Sequence, residues 1–350
     1  MSASSGDAGL ALPKTFVLEL TRRCNHRCLY CYTSWQAPEL AYPSNGHENS
    51  LAEVKELILR LQEQAPVENI ALSGGEPLLR EDIAEIVDFL RQRDIAPVLI
   101  TNGARLSPEI VDATREETTY EVTLLSHRKE IHDRLAGVPG SWDDAVRGMA
   151  NVRHARGSLV AVFIATKLNY MDLHRTAELA IALGADGMMY NRINLGAANM
   201  HLADALLPTP AMIEENLATL VELRRQYGLV VAISVVIEPC VIDVSKYPTL
   251  HFGWCPLAGP DSYFTFDPAG NIRICNHSPT VLGNINRDDF REIYYHHPYV
   301  QAFRDTWPAE CADCDPKLKA MCGGGCKAAA EQCYGTLARV DPFVVLNRSH

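Results

Sequence analysis

Apolar and polar positions alternate with two different periods along the first two thirds of the chain. Helical periodicity occurs near residues 51–64, 81–93, 108–116, 142–154, 172–183 and 210–227. In the first of these helices, Ser50 and Glu53 also form the sequence signature of a capping box. Between the helices lie short apolar runs that are typical of buried strands, at 15–20, 69–73, 97–101, 120–126, 158–165, 187–193 and 229–236.

Repeated strand–helix units of this length predict a parallel sheet joined by crossover helices. Six units fall short of the eight that close a β/α barrel. We therefore predict an α/β fold, a partial (β/α)6 barrel. A doubly wound sheet is the alternative, which periodicity by itself does not exclude. We expect a barrel core over residues 14–237 and a smaller cysteine-rich unit over residues 238–350.

Composition narrows the class of protein. Of 350 residues, 47% are hydrophobic and 21% are charged, as in ordinary globular proteins. The formal net charge of −11 argues against a nucleic-acid partner. We find neither the pattern of a signal peptide nor an apolar run of the roughly 20 residues that span a bilayer. The sequence thus predicts a cytoplasmic protein without a membrane partner.

The eleven cysteines are unevenly distributed. Cys24, Cys28 and Cys31 lie directly after the first strand, and the other eight all lie in the last third of the chain. An odd number of cysteines in a cytoplasmic protein fits a disulfide framework poorly. A zinc site, an iron–sulfur cluster and coincidence remain as explanations.

The position of this trio argues against coincidence. In β/α barrels the chemistry lies at the carboxyl ends of the strands. The cysteine loop, the segment "SGGEPLL" at 73–79, the segment "TNG" at 101–103 and Ser126 all follow strands in this way. Three thiolates suit a [4Fe–4S] cluster with one iron left open, whereas a zinc site needs a fourth ligand, for which His26 is available.

The two motifs "CNHRCLYC" and "GGEP", in this order on a β/α body, resemble the radical S-adenosylmethionine (SAM) superfamily. The resemblance implies that Cys24, Cys28 and Cys31 bind a [4Fe–4S] cluster whose free iron chelates SAM. It implies further SAM contacts at the glycine–glutamate loop, near the adenine, and at strand ends near the ribose or carboxylate. The glycine–glutamate loop comprises Gly74, Gly75, Glu76 and Pro77, and the residue near the adenine is Tyr30. The strand-end residues are Thr101, Ser126, Lys167 and Asn169.

The tail resembles the SPASM extension of peptide-modifying radical SAM enzymes, which holds two auxiliary [4Fe–4S] clusters. "CPLAGPDSYFTFDPAGNIRIC" (255–275) and "CADCDPKLKAMCGGGC" (311–326) carry this resemblance. One interval is seven residues where the family usually has five. The resemblance implies three clusters in all, with the first auxiliary cluster on Cys255, Cys275 and Cys326 and the second on Cys311, Cys314, Cys322 and Cys333.

Cys240, in "VVIEPCVID", has three interpretations. It could be the fourth ligand of the first auxiliary cluster, which is the interpretation that we favour. The alternatives are a hydrogen-atom donor on the active-site rim and a buried core cysteine. A donor role would make the protein an epimerase.

Three classes of function follow. The favoured one is radical modification of a ribosomally made peptide by crosslinking, oxidation or epimerisation. The alternative is a small-molecule substrate such as an aminosugar, a nucleoside or a porphyrin. Pure electron transfer is disfavoured, because it needs no open iron. The resemblance implies a reducing partner such as flavodoxin or ferredoxin. Peptide maturases often carry an N-terminal domain that recognises a leader peptide; here the cluster motif begins near residue 24, and a separate protein could supply that role.

Overall fold

A computed structural model describes residues 10–36, 47–255 and 262–348. Its strands are β1 (Thr15–Thr21), β2 (Asn69–Gly74), β3 (Ala96–Thr101), β4 (Thr119–Thr123), β5 (Ser158–Ala165), β6 (Gly187–Arg192), β7 (Val230–Ile233), β8 (His251–Phe252), β9 (Tyr263–Phe266), β10 (Asn271–Arg273) and β11 (Gly283–Asn284). The helices of the first two thirds are α1 (Leu51–Gln64), α2 (Ile83–Arg91), α3 (Pro108–Thr114), α4 (Lys129–Ala136), α5 (Ser141–His154), α6 (Leu173–Ala182), α7 (Ala203–Leu206) and α8 (Pro210–Tyr227). The tail contains α9 (Phe290–His296), α10 (Pro298–Asp305), α11 (Pro316–Cys322), α12 (Lys327–Tyr334) and α13 (Pro342–Arg348).

Strands β1 to β7 are parallel, and each pairs with the next one along the chain. A doubly wound sheet would reverse its strand order at a switch point, and the order here runs in one direction. The α/β fold with a parallel sheet is therefore confirmed, and the order of its strands is that of a β/α barrel. The carboxyl ends of all seven strands lie along one edge of the sheet.

The tail extends this sheet at both of its edges. Strand β8 pairs in parallel with β7, and β9 pairs in parallel with β1. Strands β9 and β10 form an antiparallel hairpin around "DPAGN", and β11 pairs with β10. The sheet is thus shared by the two units that we predict to meet at residue 237, and this boundary stays a prediction.

Aromatic residues fasten the hairpin to the start of the barrel. The ring of Phe264 meets Phe290 of α9 edge-on with centroids 5.1 Å apart, and Phe16 of β1 contacts the same ring at 5.6 Å. All three side chains are buried. Apolar burial of this kind contributes about 25 cal/mol per Å² and fixes where the tail cysteines meet the barrel. No helix in the three described ranges has the length and apolarity to cross a membrane.

Candidate functional site

The loop after β1 carries the first three cysteines and is held by backbone hydrogen bonds. The Arg27 and Leu29 amides donate to carbonyls at the end of α4, at 3.1 and 2.9 Å. Cys24 and Cys28 each lie within electrostatic range of Cys31. Burial raises the pKa of the Cys28 thiol to about 12. Metal binding would therefore displace protons from this site.

Gly74 and Gly75 bring the loop after β2 against the cysteine loop. The Gly75 amide donates to the Thr21 carbonyl at 2.8 Å, and the Glu76 amide donates to the Arg23 carbonyl at 2.8 Å. A Cβ at Gly74 would lie 2.5 Å from the Thr21 oxygen, and one at Gly75 would lie 2.2 Å from the Arg23 oxygen. The space beside Gly74 is filled by the backbone at the end of β1, and the space beside Gly75 by the backbone of the cysteine loop. That these glycines also contact SAM stays a prediction.

Glu76 is buried at the joint between β2 and β3. Its Oε1 accepts hydrogen bonds from Thr101 Oγ1 at 2.7 Å and from the Leu78 amide at 3.1 Å, and its Oε2 accepts from the Asn102 amide at 2.9 Å. Burial raises the pKa of this carboxyl to about 7, although the hydrogen bonds act in the opposite direction. Pro77 follows in the first turn of a short 3₁₀ helix (Pro77–Leu79).

The remaining strand-end candidates have partners within the protein. Ser126 Oγ donates to Asp172 at 2.6 Å and is fully buried. The side-chain amide of Asn169 donates to the carbonyls of Leu125 and Ile164 at 2.7 and 2.9 Å, and this joins the ends of β4 and β5. Lys167 Nζ donates to the Asp204 carbonyl at 2.8 Å. Contact between these residues and SAM stays a prediction, and in the structure their hydrogen bonds fix the strand ends.

A cavity of about 670 Å³ lies between the cysteine loop and the tail. Tyr30 and Tyr32 line it on the side of the cysteine loop, and Asn191 lines it at the end of β6. The tail side of the wall includes Trp254, Tyr263, His277 and the expected first auxiliary ligands Cys255, Cys275 and Cys326. Cys255 and Cys326 interact electrostatically with Cys275, so the structure brings this trio together.

Cys240 lies away from this trio. It lines a separate, small cavity together with Cys311, Cys314 and Cys322. The segment after β7 thus brings Cys240 beside α11, whereas Cys326 lines the large cavity. This placement differs from both the expected group with Cys255 and the expected position on the active-site rim.

Cys333 also lies elsewhere than the resemblance implies. It occupies the last turn of α12, is partly buried against the hydrophobic core, and does not line the small cavity. Burial raises the pKa of its thiol to about 12, with Asp341 as the neighbouring charge. The structure therefore groups the cysteines as three, three and four, with Cys333 apart.

Sequence reasoning missed a buried ion network beside the large cavity. Arg192, the last residue of β6, donates to Glu238 at 3.0 Å and to Asp341 at 2.9 Å, and all three side chains are inaccessible to solvent. Its guanidinium also lies 4.6 Å from the ring centroid of Phe343. An arginine at the end of a strand was the available signal, but its partners lie 46 and 149 residues away.

His277 was missed as well, although it follows Cys275 by two residues. Its Nε2 lies 3.1 Å from the Leu195 carbonyl, which requires a proton on Nε2. Burial lowers the pKa of the imidazole to about 4, so the ring is neutral and its Nδ1 is an acceptor. Nδ1 of His277 and Oδ1 of Asn194 are both buried without a hydrogen-bond partner.

The donor atoms of all three cysteine groups fit iron–sulfur chemistry, since they are thiols and lie in loops and helix ends of the tail and of the first β/α connection. Among the described residues, no three His, Cys, Asp or Glu side chains converge closely enough to hold a single metal ion.

Two family models match the chain. One, for the radical SAM superfamily, matches residues 18–180, and the SPASM model, for an iron–sulfur cluster-binding domain, matches residues 255–315. An AdoMet-dependent heme synthase from Methanosarcina barkeri is 26% identical over 357 residues, covering 95% of this chain and 96% of that protein. A PqqA peptide cyclase from Rhodopseudomonas palustris is 27% identical over 348 residues, covering 97% of this chain and 88% of that protein.

Solved structures show the same fold. Streptococcus suis SuiB bound to its precursor peptide SuiA superposes with a TM-score of 0.73 at 15% identity, over 95% of this chain and 76% of that chain. The structure of anSMEcpe with bound AdoMet has a TM-score of 0.69 at 15% identity, over 96% of this chain and 95% of that chain.

Proposed function

The chain belongs to the radical SAM superfamily and carries a SPASM domain, and on this premise we propose that it oxidises a peptide by radical chemistry. Reductive cleavage of SAM at the first cluster supplies a 5′-deoxyadenosyl radical that takes a hydrogen atom from the substrate. The protein itself binds and orients both molecules and keeps water from the reacting atoms. We assign three [4Fe–4S] clusters to the chain.

The proposed SAM site combines the first cysteine trio with Glu76 and Tyr30. Cys24, Cys28 and Cys31 would hold the cluster, and Glu76 would accept from the SAM ammonium group. Thr101 orients Glu76 through its 2.7 Å hydrogen bond. Tyr30 lines the large cavity and interacts with Cys28, which is consistent with a position near the adenine. Ser126, Lys167 and Asn169 would act by fixing the strand ends beside SAM.

The residues that line the large cavity are the main reason for proposing a peptide substrate. Within the described part of the chain, Arg192 is its one formally charged residue, and Glu238 and Asp341 already neutralise this guanidinium. His277 Nδ1 and Asn194 Oδ1 are acceptors without donors. Such a wall suits neutral groups that donate N–H, as peptides do, and opposes the several carboxylates of a porphyrin. PqqA peptide cyclases among the relatives support the same choice.

We assign the reaction to the oxidoreductase type. Epimerisation needs a second hydrogen-atom donor at the substrate, and Cys240 lies outside the large cavity. Oxidation instead needs an electron acceptor, and an iron–sulfur cluster held by Cys255, Cys275 and Cys326 in the cavity wall would supply it. A flavodoxin or ferredoxin would supply the electron for SAM cleavage.

The decisive experiment compares two substrate classes in one assay. The reconstituted protein is incubated anaerobically with SAM, a reductant and either short precursor peptides encoded near its gene or a propionate-bearing porphyrin. We expect a peptide to lose two hydrogen atoms by mass spectrometry in step with formation of 5′-deoxyadenosine. Turnover of the porphyrin without any peptide product would replace this proposal by the activity that the heme synthase relative suggests. Deuterium uptake from D₂O into a peptide of unchanged hydrogen content would show epimerisation instead.

A further inference from the structure

The small cavity of the tail is built by four cysteines from three separate segments. Cys240 comes from the turn after β7, Cys311 and Cys314 come from the loop before α11, and Cys322 ends α11. The thiols interact with one another as well as lining the same space. Cys311 lies within electrostatic range of both Cys240 and Cys314, and Cys322 lies within range of Cys240.

The turn that carries Cys240 is held in place by the ion network. The amides of Val241 and Ile242 donate to the Glu238 carbonyl at 2.9 and 3.1 Å, which closes a turn around Cys240. The Glu238 carboxylate is bound by Arg192 of β6 at 3.0 Å. Cys240 is therefore fixed towards the tail by buried contacts, and its position does not depend on the cysteines themselves.

The "CGGGC" turn directs its two cysteines to different groups. Gly323, Gly324 and Gly325 all have positive φ, of 68°, 86° and 85°, a conformation that L side chains rarely adopt. This run of left-handed residues ends α11 at Cys322 and sends Cys326 to the wall of the large cavity. The amides of Gly324 and Gly325 donate to the Cys322 sulfur. Amide donors of this kind stabilise a thiolate that is bound to iron.

The other end of the small cavity is covered by α13. Arg348, the last residue of that helix, lines the cavity and makes a hydrogen bond with the Cys240 thiol. A guanidinium in this position compensates the negative charge that four thiolates carry. Cys333, by contrast, has Asp341 as its neighbouring charge and lies on α12, outside this space.

We propose that Cys240, Cys311, Cys314 and Cys322 are the four ligands of the second auxiliary cluster, and that Cys333 is a structural cysteine of α12. The segment that follows β7 thereby supplies the fourth ligand, at the start of the tail. This assignment concerns cluster binding alone, and it holds or fails independently of the substrate and of SAM cleavage.

Thiol accessibility in the unaltered protein tests the assignment. The Cys240 side chain is exposed. Iodoacetamide should therefore alkylate it in the metal-free chain, and anaerobic reconstitution with iron and sulfide should protect it in proportion to the iron bound. Mass spectrometry of tryptic peptides measures the extent of Cys240 alkylation before and after reconstitution. Full alkylation of Cys240 in a chain that retains all its iron and sulfide would overturn the proposal.

Two matched variants provide a second test. Cys240→Ala and Cys333→Ala are compared in a chain whose SAM cluster has been removed by Cys24→Ala, Cys28→Ala and Cys31→Ala, so that only auxiliary clusters contribute. Cys333→Ala should keep the iron content and both electron paramagnetic resonance signals, whereas Cys240→Ala should lose or shift one signal. Loss of a cluster in Cys333→Ala would contradict the assignment, and so would unchanged signals in Cys240→Ala. If Cys240→Ala fails to fold, the Cys333→Ala result and the alkylation experiment still decide.

Discussion

At the scale of single residues, Glu76 joins structure to the proposed chemistry. Both of its oxygens accept from donors, and two of these donors are backbone amides that cannot change roles. The carboxylate thus holds the loop after β2 on β3 even before a ligand binds. The motif identifies the residue from sequence, whereas its three partners become visible only once the strands are paired.

Glu76→Gln should therefore affect both stability and SAM binding. The new amide group must face a backbone N–H, which lowers the free energy of unfolding by about 1–3 kcal/mol. Loss of the charge-assisted bond to the SAM ammonium group should weaken SAM binding roughly 10- to 100-fold. Denaturant titration and calorimetry measure the two effects, with Glu85→Gln on the exposed face of α2 as control. SAM binding equal to the wild type would exclude Glu76 from the SAM site.

The carboxyl group of Glu121 leads to a prediction about how the free energy of unfolding depends on pH. It lies on the opposite face of β4 from the buried Tyr120 and Val122, and burial raises its carboxyl pKa to about 7. Because the native state holds the proton more tightly than the unfolded chain, the residue reduces stability as pH rises from about 4.5 to 7. Glu121→Gln should stabilise the protein by about 1–3 kcal/mol at pH 8, and most of this gain should vanish at pH 5. A gain that is equal at both values would contradict the assigned pKa.

At the scale of secondary structure, the "CGGGC" turn is the element whose geometry matters most for the tail. A Cβ at Gly325 would lie 2.6 Å from Glu238 Oε1 and 2.8 Å from Asp341 Cβ. Gly335, at the end of α12, has a similar positive φ of 70° but nothing within 4 Å of its Cβ position. Alanine substitutions at Gly325 and at Gly335 therefore separate the free-energy cost of steric crowding from that of a left-handed backbone.

Gly335→Ala should lower the free energy of unfolding by about 1–2 kcal/mol through backbone strain alone, with cluster content unchanged. Gly325→Ala should cost more, because it also displaces the ion network, and it should reduce the iron bound by the tail. Thermal unfolding and iron analysis of both variants provide the comparison. Equal losses of stability and unchanged iron in the two variants would show that the turn is not crowded.

Most elements of the barrel follow from the sequence. Helix α1 begins and ends at the expected residues, and both hydrogen bonds of its capping box are present. Strand β4 ends at Thr123, three residues before the expected end, although Leu124 and Leu125 are still buried. Helix α4 was not anticipated, since it is only eight residues long and three of them, Ile131, Leu135 and Ala136, are apolar. Local patterns determine such elements, and tertiary packing determines where they stop.

At the scale of the whole molecule, long-range contacts decide the site. The motifs locate Cys24, Cys28, Cys31 and Glu76 because their spacing is local. The cysteines that lie beside Cys240 are more than 70 residues away in sequence. The hydrophobic periodicity does not indicate where the chain goes after β7. The same limit applies to Arg192, whose two carboxylates come from segments distant in sequence.

Arg192 connects β6 with the turn after β7 and with α13. Arg192→Met would leave Glu238 and Asp341 buried without their cation, and it should lower the free energy of unfolding by about 3–5 kcal/mol. Arg225→Met, at an exposed pair with Glu222 on α8, should change it by less than about 1 kcal/mol. Equilibrium denaturation of both variants measures the contrast. Similar small effects in both would show that the network does not hold the tail to the barrel.

The most direct test of the account is formation of 5′-deoxyadenosine by the reconstituted protein under strictly anaerobic conditions. With SAM and a reductant, the wild-type chain should produce it together with methionine. The triple variant Cys24→Ala, Cys28→Ala, Cys31→Ala should produce none, while its iron and sulfide content falls by about one four-iron cluster of three. Production of 5′-deoxyadenosine by the triple variant at the wild-type rate would contradict the assignment of this site.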